Sequence, residues 1–576
     1  MVDVGKLIAP VTEARQRRTA PLVLELDLTE GLSDETPGDP LGQIMAMRRH
    51  RIADVAEGLR RAARDPRVKA LVARIGGQPL GFARVQELRA AVAAFRRSGK
   101  PTVAWSESFG EFGPGTVPYY LAGAFEEIVL QPSGTVGLTG ISVTNRFFRD
   151  AVDKLGVEYE VGARHEYKTA VNTMTERGFT EAHREATGRI VESLTEQIVE
   201  GIAQSRGRTP DEVRALIDRG PFLAAEALEN GLVDRLGYRD EAYAELLGRF
   251  RPAGHRTAPR PRLQYVARYH RAQSLAGRVP AVPRGRHHVA LISGVGQIVS
   301  GRSRRSPLGG GSAMGADTVT AAFRAARRDP HVRAVVFRVD SPGGSYIASD
   351  AIWREVTLTR EAGTPVVVSM GDVAGSGGYF VALGADLIVA QPGTLTGSIG
   401  VFSGKAVLSG LLHRLGVSTE SIDAGAHAGM FHSDRGFTES EWERVNAMLD
   451  HIYDDFTGKV AQARGMSRER VHELARGRVW TGRDAAANGL VDALGGVETA
   501  ARLAREKAGL PPQAPLRHFP RPNPLERLVP AESSEDRTAA LARLRLSSWG
   551  PLADLSARLG LPAVGPLVVP GTWEIR

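Results

Sequence analysis

The chain has 576 residues, of which 42% are hydrophobic and 24% charged, a balance typical of folded globular proteins and unlike that of disordered or membrane-embedded chains. At about 100–200 residues per domain, this length predicts several domains. The sequence contains no cysteine, which excludes disulfides, thiolate nucleophiles and cysteine-based metal sites. The formal net charge of +9 favours an acidic partner, unless the positive charge is confined to one segment.

The beginning of the chain does not have the pattern of an export signal. Residues 1–18 place acidic and basic side chains where a secretory peptide needs a continuous apolar stretch. Further along the sequence, no run provides the roughly 18–20 predominantly apolar residues of a membrane-spanning helix. We therefore expect a cytoplasmic protein, or one that is peripheral at the cytoplasmic membrane.

The sequence contains an internal repeat with a period near 260 residues, which is the size of a domain rather than of a solenoid repeat. The matching segments occur in the same order in both copies and are 65–72 with 329–336, 131–132 with 391–392, 155–157 with 415–417, and 230–234 with 488–492. Within each copy, short β-branched runs alternate with helical patterns, which indicates βαβ units around a parallel sheet. The predicted fold is α/β, with two tandem domains that arose by duplication.

The predicted elements are clearest in the second copy, although a long helix is also expected at 180–206 in the first. In chain order they are a strand at 289–292, a helix at 317–328, a strand at 334–339, a turn at 341–344, a helix at 346–361 and a strand at 365–369. A glycine-rich turn is expected after each strand. Because ligands of open α/β sheets bind at the carboxyl ends of the strands, we expect the chemistry at these turns.

The copies are joined by a segment rich in arginine and proline. The predicted division is an N-terminal domain at 1–248, a connector at 249–288 with a short strand at 263–269, a C-terminal domain at 289–505, and a tail at 506–576 with an amphipathic helix at 537–546. The connector has ten arginines and no Asp, Glu or Lys, so it accounts for the whole net charge. The connector is interpreted as a solvated linker, and the charge does not indicate a nucleic-acid-binding protein. Contact between the connector and an acidic surface such as a membrane is the alternative interpretation.

One serine has surroundings suited to nucleophilic catalysis. Ser376 lies in the glycine-rich segment 371–378, which follows the strand predicted at 365–369 and opens a predicted helix. Free backbone N–H groups at a helix N-terminus favour developing negative charge, as acyl transfer requires. A Gly-Ser-Gly segment alone is also typical of a tight turn whose serine caps a helix. Ser376 is therefore a candidate nucleophile that needs a base.

Lysine is the candidate base, and this chain rarely uses lysine. It has eight lysines among its 74 basic residues, so a retained lysine is a candidate for a specific role. Lys168 precedes the predicted long helix of the first copy, and burial would have to lower its pKa from about 10.4 toward neutrality for it to act as a base. Ser398, in a second glycine-rich turn, is a candidate to orient the amine. Ordinary turn serine and solvated loop lysine are the alternative interpretations.

The two copies are complementary at these positions. Thr116 of the first copy falls opposite Ser376, and the stretch 425–430 of the second copy, opposite the region of Lys168, contains no lysine. The first copy therefore has the lysine without the serine, and the second has the serine without the lysine. A single composite site shared by the two copies explains both losses.

Several motifs together identify a family. They are 317–318, 340–345, 375–379, 395–400, 479–482 and 488–492. In combination they resemble signal peptide peptidase A, also called protease IV, in its long duplicated form. The resemblance implies a ClpP/crotonase-type fold of repeated ββα units, a nucleophile at Ser376, a base at Lys168 and a supporting hydroxyl at Ser398. It also implies that backbone N–H groups of Gly343 or Gly344 and of Gly377 bind the oxyanion, and that the protein is a homotetramer.

The predicted function is a serine endopeptidase with a Ser/Lys dyad that hydrolyses signal peptides or other short apolar peptides. We expect neither a cofactor nor a metal ion. Two alternatives stay open: an acyl-CoA hydratase or thioesterase of the crotonase fold, which uses similar glycine oxyanion holes, and a non-catalytic peptide-binding relative.

Overall fold

The computed structural model describes residues 20–29, 31–33, 50–76, 80–251, 260–276, 287–305 and 312–520, together with the short strands Arg543–Leu544 and Leu567–Val568. Most of these residues form two α/β units in tandem, one around a six-stranded sheet and one around an eight-stranded sheet. Within these ranges, the structure has no helix that is both long and apolar enough to cross a membrane.

The first unit contains a parallel sheet of six strands. From edge to edge they are Arg235–Leu236, Glu127–Leu130, Thr102–Ser106, Val68–Arg74, Leu22–Asp27 and Arg262–Tyr265. The central strands are rich in Val, Leu and Ala because separate hydrophobic clusters bury both faces of the sheet. The last strand comes from the predicted connector. It is shorter than the predicted 263–269, since the chain becomes helical at Val266.

The second unit repeats this sheet. Six of its strands follow the same order, all parallel: Ala493–Leu494, Leu387–Ala390, Val366–Gly375, Val332–Ser341, His288–Val295 and Leu516–His518. Two further strands, Leu395–Gly397 and the antiparallel Val479–Thr481, continue the sheet beside the end of Val366–Gly375. The shared strand order confirms the predicted α/β class and the internal duplication.

The repeated Asn-Gly-Leu-Val-Asp motif anchors the same strand in both units. Asp234 accepts a hydrogen bond from the N–H of Ile128 at 2.7 Å and forms an ion pair with Arg206 at 2.8 Å. Asp492 makes the equivalent two contacts in the second unit, with a strand N–H and an arginine of the long helix. This part of the repeat is therefore structural and lies outside the chemistry.

Helices connect the strands. In the first unit they are Ile52–Arg64, Phe82–Arg96, Thr116–Ala122, Arg149–Leu155, Asn172–Thr175, Glu181–Arg206, Pro210–Arg219, Ala224–Glu229, Arg239–Gly248 and Val266–Ala276. In the second unit they are Ala316–Arg328, Tyr346–Glu361, Gly377–Ala382, Ser409–Arg414, Glu439–Arg464, Arg468–Leu474, Gly482–Ala487 and Val497–Lys507. Threonine hydroxyls cap the N-termini of the two longest helices, at Thr180 and Thr438.

The remaining strands form small sheets. They are the pairs Leu32–Ser33 with His50–Arg51, Thr135–Val136 with Phe222–Leu223, and Glu158–Ala163 with Phe402–Val407, and a sheet of Gln297–Val299, Arg304–Arg305, Ser312–Gly315, Gly343–Gly344, Arg543–Leu544 and Leu567–Val568. Of the helix predicted at 537–546, only residues 543 and 544 are described. The helix prediction is wrong at these two residues because their backbone pairs with Arg304–Arg305.

The predicted elements of the second copy match the structure closely, with two differences. The turn expected at 341–344 is instead formed by the end of the strand Val332–Ser341 and the short strand Gly343–Gly344. The helix expected at 346–361 is observed with those bounds. The strand expected at 365–369 instead continues to Gly375, because residues 373–375 pair with Leu395–Gly397. The glycine-rich segment before Ser376 is therefore the end of a strand rather than a turn.

The helix Phe82–Arg96 of the first unit holds the two units together through polar side chains. Its polar contacts with the second unit include those of Arg84 with Asp340 and Asp372, Gln86 with the N–H of Gly393, and Glu87 with Arg338. Since the Glu87–Arg338 pair is almost fully buried, the boundary between the units is specified by charge as well as by apolar packing.

Candidate active site

Ser376 lies at the junction of the strand Val366–Gly375 and the helix Gly377–Ala382. Its backbone has φ 53° and ψ −116°, an unusual conformation for a residue with a side chain that costs on the order of 1–3 kcal/mol. The N–H of Ser376 donates to the carbonyl oxygen of Gly397 at 2.7 Å, which holds this conformation in place. The side chain is buried, so the serine is fixed and shielded from bulk water.

Lys168 reaches Ser376 from the other unit. Its Nζ atom lies 2.8 Å from Ser376 Oγ, and it donates hydrogen bonds to the carbonyl oxygen and to Oγ of Ser398, both at 3.0 Å. Lys168 is 2% exposed. Burial lowers the pKa of Lys168 well below its ordinary value, which favours the neutral amine.

A two-stranded sheet between the units carries Lys168 to this position. Glu158–Ala163 of the first unit pairs antiparallel with Phe402–Val407 of the second, with Ala163 opposite Phe402. The N–H of Arg164 then donates to the carbonyl oxygen of Val401 at 2.9 Å, which continues the contact toward Lys168. This pairing is not predicted from the sequence, although both strands lie beside predicted site residues.

Ser398, which belongs to the second unit, binds the amine of Lys168. Its backbone also has a positive φ, 50°, and its N–H donates to the carbonyl oxygen of Arg478 at 2.7 Å. Because Lys168 Nζ contacts both oxygens of this one residue, the position of the amine depends on the turn around Ser398. The structure thus brings together the three side chains that the sequence singled out.

The three predicted oxyanion glycines also lie beside the serine. Gly343 and Gly344 have φ of 99° and 154°, and a Cβ placed on Gly377 would lie 3.2 Å from Gly343 Cα and from Gly344 N. The N–H of Gly343 already donates to Ser341 Oγ at 3.1 Å. The backbone of Leu567–Val568 pairs antiparallel with Gly343–Gly344, so this edge accepts an extended segment of chain.

In the first unit, Thr116 occupies the position equivalent to Ser376, and its hydroxyl has a structural role. Thr116 is fully buried, and its Oγ1 accepts a hydrogen bond from the N–H of Thr139 at 3.2 Å. Thr116 begins the helix Thr116–Ala122, just as Ser376 precedes Gly377–Ala382. The hydroxyl of Thr116 therefore has a structural partner, whereas that of Ser376 faces an amine.

The fold and the site define a class: a duplicated α/β protein whose two units share one buried serine–lysine site. The chain belongs to Peptidase family S49, whose family model matches residues 94–248 and 359–511, together more than half of the chain. Both matched regions lie within the repeated units, which is consistent with a duplicated peptidase domain.

Named relatives agree with this family. The chain is similar to "Serine protease SPPA, chloroplastic" of Arabidopsis thaliana, with 31% identity over 463 residues that cover 80% of this chain and 66% of the relative. It is also similar to "Protease 4" of Salmonella typhi, with 34% identity over 428 residues that cover 73% and 66%, respectively. The chain thus spans just under two thirds of the length of both relatives.

Among solved structures, a ClpP1 mutant from Listeria monocytogenes is similar over 36% of this chain and 90% of its own, with 16% identity and a TM-score of 0.23. The α/β class of the present chain follows from its own two sheets, which are mainly parallel, and the helices that connect their strands.

Proposed function

We propose that the protein is a serine peptidase in which Ser376 is the nucleophile and Lys168 the general base. The observation that carries the proposal is the 2.8 Å distance between Lys168 Nζ and Ser376 Oγ in a buried site that favours the neutral amine. A serine hydroxyl is a weak nucleophile unless a neighbouring base accepts its proton. A lysine can serve as that base only when neutral, and burial of Lys168 supports this state.

The hydrogen bonds of the amine suggest how it is oriented. A neutral amine has two N–H bonds and one lone pair. The carbonyl oxygen and Oγ of Ser398 can accept the two N–H groups, since each lies 3.0 Å from Nζ. The lone pair is then directed at the remaining neighbour, Ser376 Oγ. Ser398 would thus act as a positioning residue for the base.

The reaction proceeds through an acyl-enzyme. Ser376 Oγ attacks the scissile carbonyl carbon while its proton passes to Lys168 Nζ. When the C–N bond of the peptide breaks, the ammonium group returns this proton to the leaving amine. Water then attacks the ester, Lys168 takes a proton from the water, and the proton returns to Ser376 Oγ as the C–O bond of the ester breaks. The amine and the hydroxyl are therefore regenerated in each turnover.

Backbone N–H groups stabilise the oxyanion that forms in both steps. Of the three predicted glycines, Gly344 and Gly377 are the better candidates, because the N–H of Gly343 already donates to Ser341. Removing one oxyanion donor typically costs about 10²–10³ in kcat. The proposed substrates are signal peptides or other short apolar peptides. A homotetramer, peripheral membrane contact and a cytoplasmic location stay predictions.

The proposal is tested by peptide hydrolysis with wild type, Ser376→Ala and Lys168→Met. Each substitution is expected to lower kcat by at least about 10⁴-fold, because the two groups act as a unit. Lys69→Met is the matched control, since Lys69 is exposed. Undiminished activity in Ser376→Ala or Lys168→Met would refute the proposed dyad. Turnover of an acyl-CoA substrate that survives Lys168→Met would instead favour the hydratase or thioesterase alternative.

A further inference from the structure

A short loop of the second unit contacts both Lys168 and Ser398. Residues 475–478, hereafter the 475–478 loop, connect the helix Arg468–Leu474 to the strand Val479–Thr481. Two successive residues of the loop have positive φ, 53° at Arg476 and 88° at Gly477. Arginine rarely adopts this conformation, so the surrounding contacts must hold the loop in its shape.

Backbone hydrogen bonds fix the loop against both sides of the site. The N–H of Tyr167 donates to the carbonyl oxygen of Arg476 at 3.1 Å. The N–H of Ser398 donates to the carbonyl oxygen of Arg478 at 2.7 Å, and the N–H of Gly477 donates to that of Ile399 at 2.8 Å. Three consecutive loop residues are therefore bonded to the immediate neighbourhood of the amine and to that of its hydrogen-bond acceptor.

Gly477 lies directly on the backbone of Lys168. A Cβ at position 477 would lie 2.4 Å from Lys168 N and 2.6 Å from its Cα and Cβ atoms, all well inside van der Waals contact. On the other side of the loop, Gly400 would bring a Cβ to 2.8 Å from Gly477 Cα and 3.4 Å from Lys168 Cδ. Lys168 can occupy its present position only because Gly477 lacks a side chain, and Gly477 in turn has room because Gly400 lacks one.

Ion pairs surround this contact. Arg476 pairs with Glu166 at 2.9 Å, and Arg478 pairs with Glu185 at 2.8 Å. Further out, the ring of His165 lies 4.7 Å from that of His472, and burial lowers the pKa of His165. Both ion pairs therefore cross the boundary between the units.

We propose that Gly477 is a positioning residue for Lys168: its lack of a side chain lets the 475–478 loop hold the lysine backbone at the distance from which Nζ reaches Ser376. This inference depends on the proposed function, since it concerns the same base. A methyl group at position 477 must move the Lys168 backbone by about 1 Å, the difference between 2.4 Å and an ordinary contact of about 3.4 Å. A misplacement of this size can cost about 10²-fold in rate.

The test compares Gly477→Ala with Gly363→Ala in the full chain. Gly363 has a similar φ, 80°, but a Cβ there would meet nothing within 4 Å, so this control reproduces the backbone strain without the contact. We expect Gly477→Ala to lower kcat on an apolar peptide about 10²-fold, with KM little changed. We also expect the acidic limb of its pH–rate profile to move to higher pH, because a displaced amine regains water and its pKa rises. Gly363→Ala should change neither property.

Three further variants make the outcomes distinguishable. Full activity in Ser376→Ala would refute the proposed function itself, whatever Gly477→Ala does. If Ser376→Ala is inactive but Gly477→Ala has the kcat and pH profile of Gly363→Ala, the positioning role is refuted. Should Gly477→Ala fail to fold, Arg476→Gly decides, since it adds no atom, removes the ion pair with Glu166 and loosens the loop that holds Lys168. An unchanged kcat and an unchanged acidic limb in Arg476→Gly would refute the role. His165→Asn should keep the acidic limb of the wild-type pH–rate profile. A shift of this limb in His165→Asn would show that the limb reports the titration of His165 and not that of Lys168, and would refute the role.

Discussion

Breaking the buried ion pair between the units should destabilise the protein strongly. Glu87 lies on the helix Phe82–Arg96 of the first unit, and Arg338 on the strand Val332–Ser341 of the second. Their side chains are 4% and 2% exposed, and Arg338 Nη2 lies 2.9 Å from Glu87 Oε2. Glu87 also accepts a hydrogen bond from the N–H of Val497 at 2.7 Å. Arg338→Met would leave the carboxylate buried without its counter-charge.

The expected loss follows from this burial. Removing one partner of a buried pair typically costs 3–5 kcal/mol, about two to three and a half powers of ten in the unfolding equilibrium constant. The Arg502–Glu506 pair has a similar length, 2.8 Å, but both side chains are 56% exposed. An exposed helical pair contributes only about 0.3–0.5 kcal/mol. Arg502→Met is therefore a control that differs from Arg338→Met in burial.

Urea unfolding, monitored by circular dichroism, measures the loss of unfolding free energy in Arg338→Met and in Arg502→Met. The slope of the transition is compared between the variants to confirm that the same surface is exposed on unfolding. The double variant Glu87→Gln with Arg338→Met should lose less than Arg338→Met alone, because a neutral amide needs no counter-charge and can still accept the N–H of Val497. The reasoning is wrong if Arg338→Met costs no more than Arg502→Met, or if the double variant loses the sum of the two single losses.

Two further predictions concern the site. Lys168 should make the stability of the wild-type protein rise with pH, from the lowered pKa of the folded state up to about 10.4, the pKa of an unfolded lysine. In this range the lysine of the unfolded chain binds a proton that the buried lysine does not bind. Urea midpoints measured across the range should lack this rise in Lys168→Met. Val568→Pro should lower KM for short peptides with kcat unchanged, since a substrate at Gly343–Gly344 must displace the strand Leu567–Val568. Steady-state kinetics with an unchanged KM would contradict this expectation.

The sequence predicted the duplication and singled out the three side chains that the structure brings together, because both leave local signals. The repeated motifs are visible as matching letters, and the lysine of the first copy is conspicuous in a chain that otherwise uses arginine. The strand pairing of Glu158–Ala163 with Phe402–Val407 leaves no such signal, since it joins segments that are far apart in the chain. Likewise, nothing local distinguishes Gly477 from Gly363, because their difference lies in what approaches them in space.

The strand that ends at Gly375 also shows that contacts with a distant segment cannot be predicted from local sequence. Its glycines favour a turn when the segment is considered alone, and pairing with Leu395–Gly397 overrides that preference. Local propensity is a weak guide where a neighbouring strand supplies the hydrogen bonds. The position of Ser376 was therefore predicted correctly as a strand-to-helix junction, while the conformation that leads to it was not.

The division of the site between the units has a consequence for biosynthesis. Lys168 is translated long before Ser376, Ser398 and the 475–478 loop, and a chain that is still on the ribosome short of residue 478 lacks part of the constellation. The proposed dyad would therefore be assembled only when the second copy has been made and has docked on the first. With such a dyad, a nascent or truncated chain would be harmless to its neighbours, and the loss of either copy would abolish the proposed activity.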